Sequence, residues 1–119
     1  MIHEVLSIGL PFPPSVNHYY RRAGHTIHIS AQGKRYRETV GALLIGESGF
    51  TSERLNMHIA VWVPDKRKRD VHNYHKGLID ALQHAGMYDD DEQIDKLTIE
   101  RMGIRKGGAV IVSIEEREA

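Results

Sequence analysis

Residues 56–86 read NMHIAVWVPDKRKRDVHNYHKGLIDALQHAG. Between Asn56 and Val63, the residues Met57, Ile59, Val61 and Val63 alternate with others, which is the period of a half-buried strand. After Pro64 comes a basic run, Lys66-Arg-Lys-Arg69, and then Asp70. From about Asn73 to Ala85, the residues Tyr74, Leu78, Ile79 and Leu82 form one apolar helical face, and Gly86 is placed to end that helix at C′. The stretch is therefore a strand, a basic loop and a helix.

Working outward, Val5 to Leu10 reads as a first strand, apolar enough for a buried position, ended by Pro11, Pro13 and Pro14. Tyr19 to Arg22 and Thr26 to Ile29 form the arms of a short hairpin around Ala23-Gly24. Ser30 is suited to cap a helix running from Ala31 to about Leu44, with Tyr36, Val40, Leu43 and Leu44 at helical spacing. Ile94 to Met102 and Ala109 to Glu115 are two further strands, turned by Lys106-Gly-Gly108. The order β-β-β-α-β-α-β-β predicts an α+β fold, two helices packed on one mixed sheet. At 119 residues, without repeats or linkers, residues 1–119 are expected to form a single domain.

The chain has no cysteine, which excludes disulfides and thiolate metal sites and fits a reducing compartment. No apolar run reaches the roughly 18–20 residues needed to cross a membrane, and Met1-Ile-His-Glu-Val lacks the pattern of a secretory signal. The expected location is the cytoplasm. Net charge is zero, yet no acid occurs between Glu4 and Glu38, a stretch that holds Arg21, Arg22, Lys34, Arg35 and Arg37. The acids gather at Asp89-Asp-Asp-Glu92 and Asp95. Segregation of this kind attracts a polyanion to one surface and a cation to another, although solvated surface charge gives the same pattern.

Phosphodiester cleavage needs an activated water and relief of phosphate charge, which clustered carboxylates holding Mg²⁺ supply. Asp70 stands at a strand-to-helix junction and Asp91 beyond the same helix. They meet only if the chain folds back along that helix after Gly86. The simpler roles are a helix cap for Asp70 and a solvated turn for Asp89 to Asp91. His72 or Asn73, Lys76 and Asp80 would share one helix face. Lys76 there either contacts a scissile phosphate or pairs with Asp80 on the surface. His72, His75 and His84 match no standard zinc spacing. Pro64-Asp65 has no Asp/Glu-x-Lys partner of the kind a PD…(D/E)xK nuclease requires.

Five blocks in order carry a resemblance. They are Pro13-Pro-Ser-Val-Asn-His-Tyr-Tyr-Arg21, Ser30 with Tyr36-Arg37, Arg69-Asp-Val-His-Asn-Tyr-His-Lys76, Asp80-Ala-Leu82 and Asp90-Asp-Glu-Gln93. Together they resemble the RusA family of Holliday junction resolvases, phage- and prophage-borne endonucleases, over nearly the whole chain. The resemblance implies a homodimer that binds four-way junction DNA and nicks two opposing strands with Mg²⁺ or Mn²⁺. It implies that Asp70 and Asp91 are metal-binding catalytic carboxylates, with Asp90 beside them, and that Lys76 is the essential basic residue. Arg21, Arg22, Lys34, Arg37, Lys66, Arg67, Lys68, Arg69 and Asn73 are then DNA contacts. Tyr19 and Tyr20 either stack on bases or pack in the hairpin, and packing is favoured.

The family's middle catalytic aspartate is His72 here. Imidazole is neutral and softer than a carboxylate, so the exchange removes a charge and favours Mn²⁺ over Mg²⁺. Three explanations stand. His72 is a natural alternative ligand or general base, with Asp89 or Asp90 supplying charge. It is a substitution introduced to disable cleavage. Or the chain is a branched-DNA binding protein that no longer cuts.

Overall fold

The computed structural model describes residues 5–117, so Met1 to Glu4, over which no secretory signal is expected, lie outside the described residues. In chain order the elements are β1 (Val5–Leu10), α1 (Val16–Tyr19), β2 (Tyr20–Ala23), β3 (Thr26–Ile29), α2 (Ala31–Leu43), β4 (Leu55–Val63), α3 (His75–His84), β5 (Ile94–Ile104) and β6 (Ala109–Glu116). Two 3-10 turns, Val71–Asn73 and Asp91–Gln93, flank α3.

Four strands form one sheet in the order β1-β6-β4-β5. β6 runs antiparallel to β1 and β4, whereas β5 runs parallel to β4, so the sheet is mixed. A parallel neighbour demands a long crossover, and residues 64–93 provide it with α3 at the centre. β4 and β6 are the two inner strands, and Leu55, Met57, Ile59, Val61 and Val63 of β4 are all nearly inaccessible. They join Val110, Val112 and Ile114 of β6 with Tyr36 and Val40 of α2 and Leu78, Ile79 and Leu82 of α3 in one core. No helix among the described residues is long and apolar enough to cross a membrane.

The structure departs from the sequence expectation in four places. The hairpin β2–β3 forms its own two-stranded sheet, so the mixed sheet does not include it. β1 pairs only with β6 and is an edge strand, with Ser7 and Gly9 exposed. Leu43 is 55% exposed, because the buried face of α2 runs through Gly33, Tyr36, Val40 and Leu44, and Leu43 sits about 100° away from Leu44. The second helix starts at His75 and not at Asn73. Asp70 caps a separate turn over Val71–Asn73, and the next residue, Tyr74, precedes the α3 ladder.

Helix ends follow local chemistry. Ser30 Oγ accepts from Gly33 N at 2.9 Å, capping α2. At the end of α3, Gly86 adopts φ 85°. Its N–H donates to Gln83 O at 3.0 Å and that of Met87 to Leu82 O at 3.1 Å, the paired bonds of a Schellman close.

Tyr19, fully buried, lies between two helix glycines. A Cβ at Gly33 would stand 2.4 Å from Tyr19 O, and one at Gly77 would stand 2.5 Å from the Tyr19 ring. Gly77→Ala is therefore expected to lower stability by about 1–3 kcal/mol through overpacking. Gly41→Ala, with nothing within 4 Å of the added carbon, is expected to raise it by about 0.5–1 kcal/mol. Urea unfolding midpoints of the two variants measure both.

Candidate active site

Asp70 follows the basic loop, and its backbone is held from two sides. Asp65 accepts from Arg69 Nη1 at 2.6 Å and Nη2 at 3.2 Å, a two-pronged bond that holds the Asp65 carboxyl down to about 2. The Arg101 guanidinium of β5 donates to the carbonyl of Arg69. Asp70 Oδ1 accepts from His72 N at 3.0 Å and contacts His72 Nδ1 at 3.1 Å. The His72 N–H, and after it the imidazole, hold the Asp70 carboxyl below the ordinary carboxylate range. Asp70 thus fills the capping role open to it on sequence grounds, while its other oxygen stays exposed for a further ligand.

Asp91 begins the second 3-10 turn, which Gln93 fixes from inside. Gln93 is the buried polar side chain of the core. Its Oε1 accepts from Asp89 N at 3.0 Å and Asp90 N at 2.9 Å, and its Nε2 donates to the carbonyls of Thr51 and Glu53. Asp90 Oδ1 caps the turn through Glu92 N at 2.9 Å. Gln83 Oε1 receives Asp91 N at 3.0 Å, tying the turn to α3. Asp91 is pushed above the usual carboxylate range by burial first, then by Asp90, then by the charge of Asp80. Three carboxylates crowd together, which disfavours ionisation of the middle one unless a cation arrives.

A cavity of about 380 Å³ opens in front of Asp91, with Asp80, Lys76, His75 and Tyr20 among its lining residues. Lys76 is exposed and makes no hydrogen bond or ion pair among the described residues, so the surface pair with Asp80 does not form. Asp80 instead accepts from Arg37 Nε at 2.8 Å and from the hydroxyl of Tyr19, with Arg37 Nη2 also 2.8 Å away. Burial, and after it the Asp80 bond, raises the Tyr19 hydroxyl well above its ordinary range, so it donates to Asp80 as a neutral phenol. Arg37, expected as a DNA contact, thus has its Nε and Nη2 engaged by Asp80 within the fold. Arg69 is committed in the same way to Asp65. Arg21, Arg22, Lys34, Lys66, Arg67 and Lys68 stay exposed without ion-pair partners among the described residues. Asn73 is exposed in the first 3-10 turn, off the face that carries Lys76 and Asp80, and His72 is there too.

Asp70 and Asp91 are not brought together within one chain. β4 and β5 are parallel, so α3 carries the chain from one end of the sheet to the other before β5 begins. The chain therefore does not fold back along α3. Arg101, which anchors Arg69 and Asp70, lies seven residues along β5 from Ile94, next to the Asp91 turn. That separation is roughly 23 Å at about 3.3 Å per residue. Among the described residues no group of three or more His, Asp or Glu side chains could hold a metal ion. The predicted set Asp70, His72, Asp90 and Asp91 is thus two pairs, one at each end. Sequence reading missed Gln93, Tyr20 and Asp80 as builders of the Asp91 pocket. Each lies in a block that carries the resemblance, and Asp80 stands one turn after Lys76, but neither signal gave them this role.

The two carboxylates are expected to respond oppositely to pH in metal-free buffer. Asp91, raised above 3.8, contributes stability while protonated and loses it as pH climbs through its folded value. Asp91→Asn should therefore raise the melting temperature at pH 7, and the difference should vanish toward pH 3. Asp70, lowered, contributes stability above its unfolded value and loses it as pH falls. Asp70→Ala should lower the melting temperature at pH 7 and converge with the parent in acid. Thermal melts across pH 3–8 in chelator read both signs.

A family model described as Endodeoxyribonuclease RusA matches residues 11–115. A crossover junction endodeoxyribonuclease from Enterobacteria phage HK97 is 41% identical over 112 residues, covering 92% of this chain and 93% of that protein. The protein of the same description from Escherichia coli K12 is 37% identical over 116 residues, with 92% and 93% covered. That of Enterobacteria phage 82 is 38% identical over 112 residues, with 92% of each covered. The fold, the ordered motifs and matches of this extent agree: the chain belongs to the RusA family of endodeoxyribonucleases.

Proposed function

We propose that the chain is a divalent-metal-dependent endodeoxyribonuclease that resolves four-way DNA junctions by paired, symmetric nicks during recombination and repair. Residues 1–119 act as one cytoplasmic nuclease domain that works as a homodimer. The observation that carries this reading is the Asp91 pocket: a partly desolvated carboxylate crowded by Asp90 and Asp80, with unpaired Lys76 on the same wall.

The donor set fits a hard divalent cation. Asp90 and Asp91 offer anionic oxygens under mutual repulsion that a cation relieves, and Asp70 with His72 offers an oxygen and a nitrogen. When bound, the metal supplies neutralisation of phosphate charge and an acidified water. Lys76 supplies a further positive charge to the scissile phosphate. His72 in place of a carboxylate shifts the preference from Mg²⁺ toward Mn²⁺.

Two copies complete the centre. β5 is an edge strand with a free side, on which Leu97, Met102 and Ile104 remain exposed. A two-fold axis crossing that edge between Ile94 and Arg101 sets the Asp70–His72 pair of one copy beside the Asp90–Asp91 pair of the other, twice. Two like sites related by a dyad suit a two-fold junction and paired cuts.

A second reading, a branched-DNA binding protein without cleavage, is favoured by the contact of His72 Nδ1 with Asp70 Oδ1, which occupies a lone pair a metal would use. One assay separates the readings. Under the nuclease reading a synthetic four-way junction is nicked with Mn²⁺ or Mg²⁺, and Asp70→Asn or chelator stops it. Lys76→Met lowers the cutting rate by about 10²–10³-fold, the scale of losing one charge-stabilising donor. Tight junction binding without cutting in either metal, unchanged by His72→Asp, establishes the binder instead. Mixing Asp70→Asn with Asp91→Asn protein tests the composite centre. A heterodimer then holds one intact site and restores single nicks, whereas sites confined to one chain stay dead in the mixture.

A further inference from the structure

A second cavity, of about 620 Å³, lies on the other side of the Tyr20–Lys76 wall. Its lining is Val16, Asn17, Tyr20, Arg21, Arg22, Ile27 and Lys76, with no acidic residue among them. The volume falls within the roughly 300–1,000 Å³ of small-ligand sites. Three of its features point to one kind of occupant. Arg21, Arg22 and Lys76 are cations without ion-pair partners among the described residues, so their charge is available to an anion. Ile27, on the adjoining strand β3, is 62% exposed, an apolar side chain that no part of the fold covers, and Tyr20 adds an aromatic wall. The Asn17 amide, exposed and without a hydrogen-bond partner among the described residues, has both donor and acceptor to present.

A cationic rim, an aromatic and aliphatic floor and one uncommitted amide match the parts of a nucleotide: phosphate, the faces of a base and a base edge. Lys76 and Tyr20 line both this cavity and the acidic one. A strand whose scissile phosphate rests on Lys76 therefore has its neighbouring nucleoside at the mouth of this second cavity. We propose that the cavity between the β2–β3 hairpin and α3 receives one unstacked nucleotide next to the cut, with its base against Tyr20 and Ile27 and its edge read by Asn17. The site rests on the junction-nuclease reading above and goes beyond it, because it assigns base discrimination at the cut to the Val16–Arg22 segment and the hairpin. Extrusion of a base costs less where stacking is already interrupted, as at the strand-exchange point of a junction.

The test uses the full chain and synthetic four-way junctions in chelator, so that binding is read without cutting. The nucleotides flanking the crossover are replaced one at a time by an abasic residue. One position is expected to weaken binding by about tenfold, the scale of one base–aromatic stack. Ile27→Ala should shrink that penalty to about threefold or less while binding the abasic junction as the parent does. Asn17→Ala should retain most of the penalty but bind junctions carrying any of the four bases at that position alike, where the parent ranks them. Circular dichroism melts confirm that each variant folds. No abasic penalty at any position, or a penalty unchanged in Ile27→Ala, overturns the nucleotide site. A parent that binds junctions no better than duplex removes the underlying reading instead, so the two failures are distinct.

Discussion

The phenol of Tyr19, the carboxylate of Asp80 and the guanidinium of Arg37 join three parts of the molecule at one point. Tyr19 belongs to the segment leading into the hairpin, Arg37 to α2 and Asp80 to α3. The ring fits only because Gly77 leaves no Cβ in its way, and Gly33 leaves the same room for the Tyr19 carbonyl. Remove the hydroxyl and Asp80 keeps its Arg37 partner, whereas removing Arg37 leaves a partly buried carboxylate to be compensated by one phenol. The second loss is the more costly, as charged groups left unpaired in a fold generally are. Because Asp80 also faces Asp91, this junction sets the charge of the acidic cavity as well as the packing of the helices.

That coupling explains why Asp91 is not a relaxed surface acid. Asp90, Asp91 and Asp80 are held by bonds to backbone and side chain that leave them little freedom to separate. Gln93 is central to this. A buried amide that receives two backbone N–H groups and gives to two carbonyls makes the acidic turn rigid from beneath. A rigid cluster of like charges stores an unfavourable interaction that only a cation or a proton removes, the usual cost of a preorganised site.

The elements themselves were largely legible. Alternation in β4, the cap at Ser30 and the stop at Gly86 are local chemistry, and each appears where local chemistry puts it. Leu43 was misplaced because the sequence offers two adjacent leucines and only packing selects Leu44. The start of α3 was misplaced because a capping aspartate serves a 3-10 turn as readily as an α-helix. What sequence could not supply was the partner of each charge. Arg37 and Asp80 have the composition of surface residues, and only a long-range contact between α2 and α3 pairs them. The parallel pairing of β4 with β5 was likewise invisible, and it is that pairing which keeps Asp70 and Asp91 apart.

The same partners resolve the paradox of a zero net charge on a chain of this family. Arg54 neutralises Glu92 and Asp95, Arg37 neutralises Asp80, and Arg69 neutralises Asp65. These pairs take up three cations and four acids. The remaining exposed cations include Arg21, Arg22, Lys34, Lys66, Arg67, Lys68 and Lys76. The remaining exposed acids include Asp70 and Asp89 to Asp91, with Glu38, Glu47, Glu100 and Glu115 scattered elsewhere. A uniformly basic protein would bind duplex everywhere through counterion release. A chain of zero net charge whose acids crowd at Asp89 to Asp91 repels a phosphate backbone from that turn until a cation occupies it.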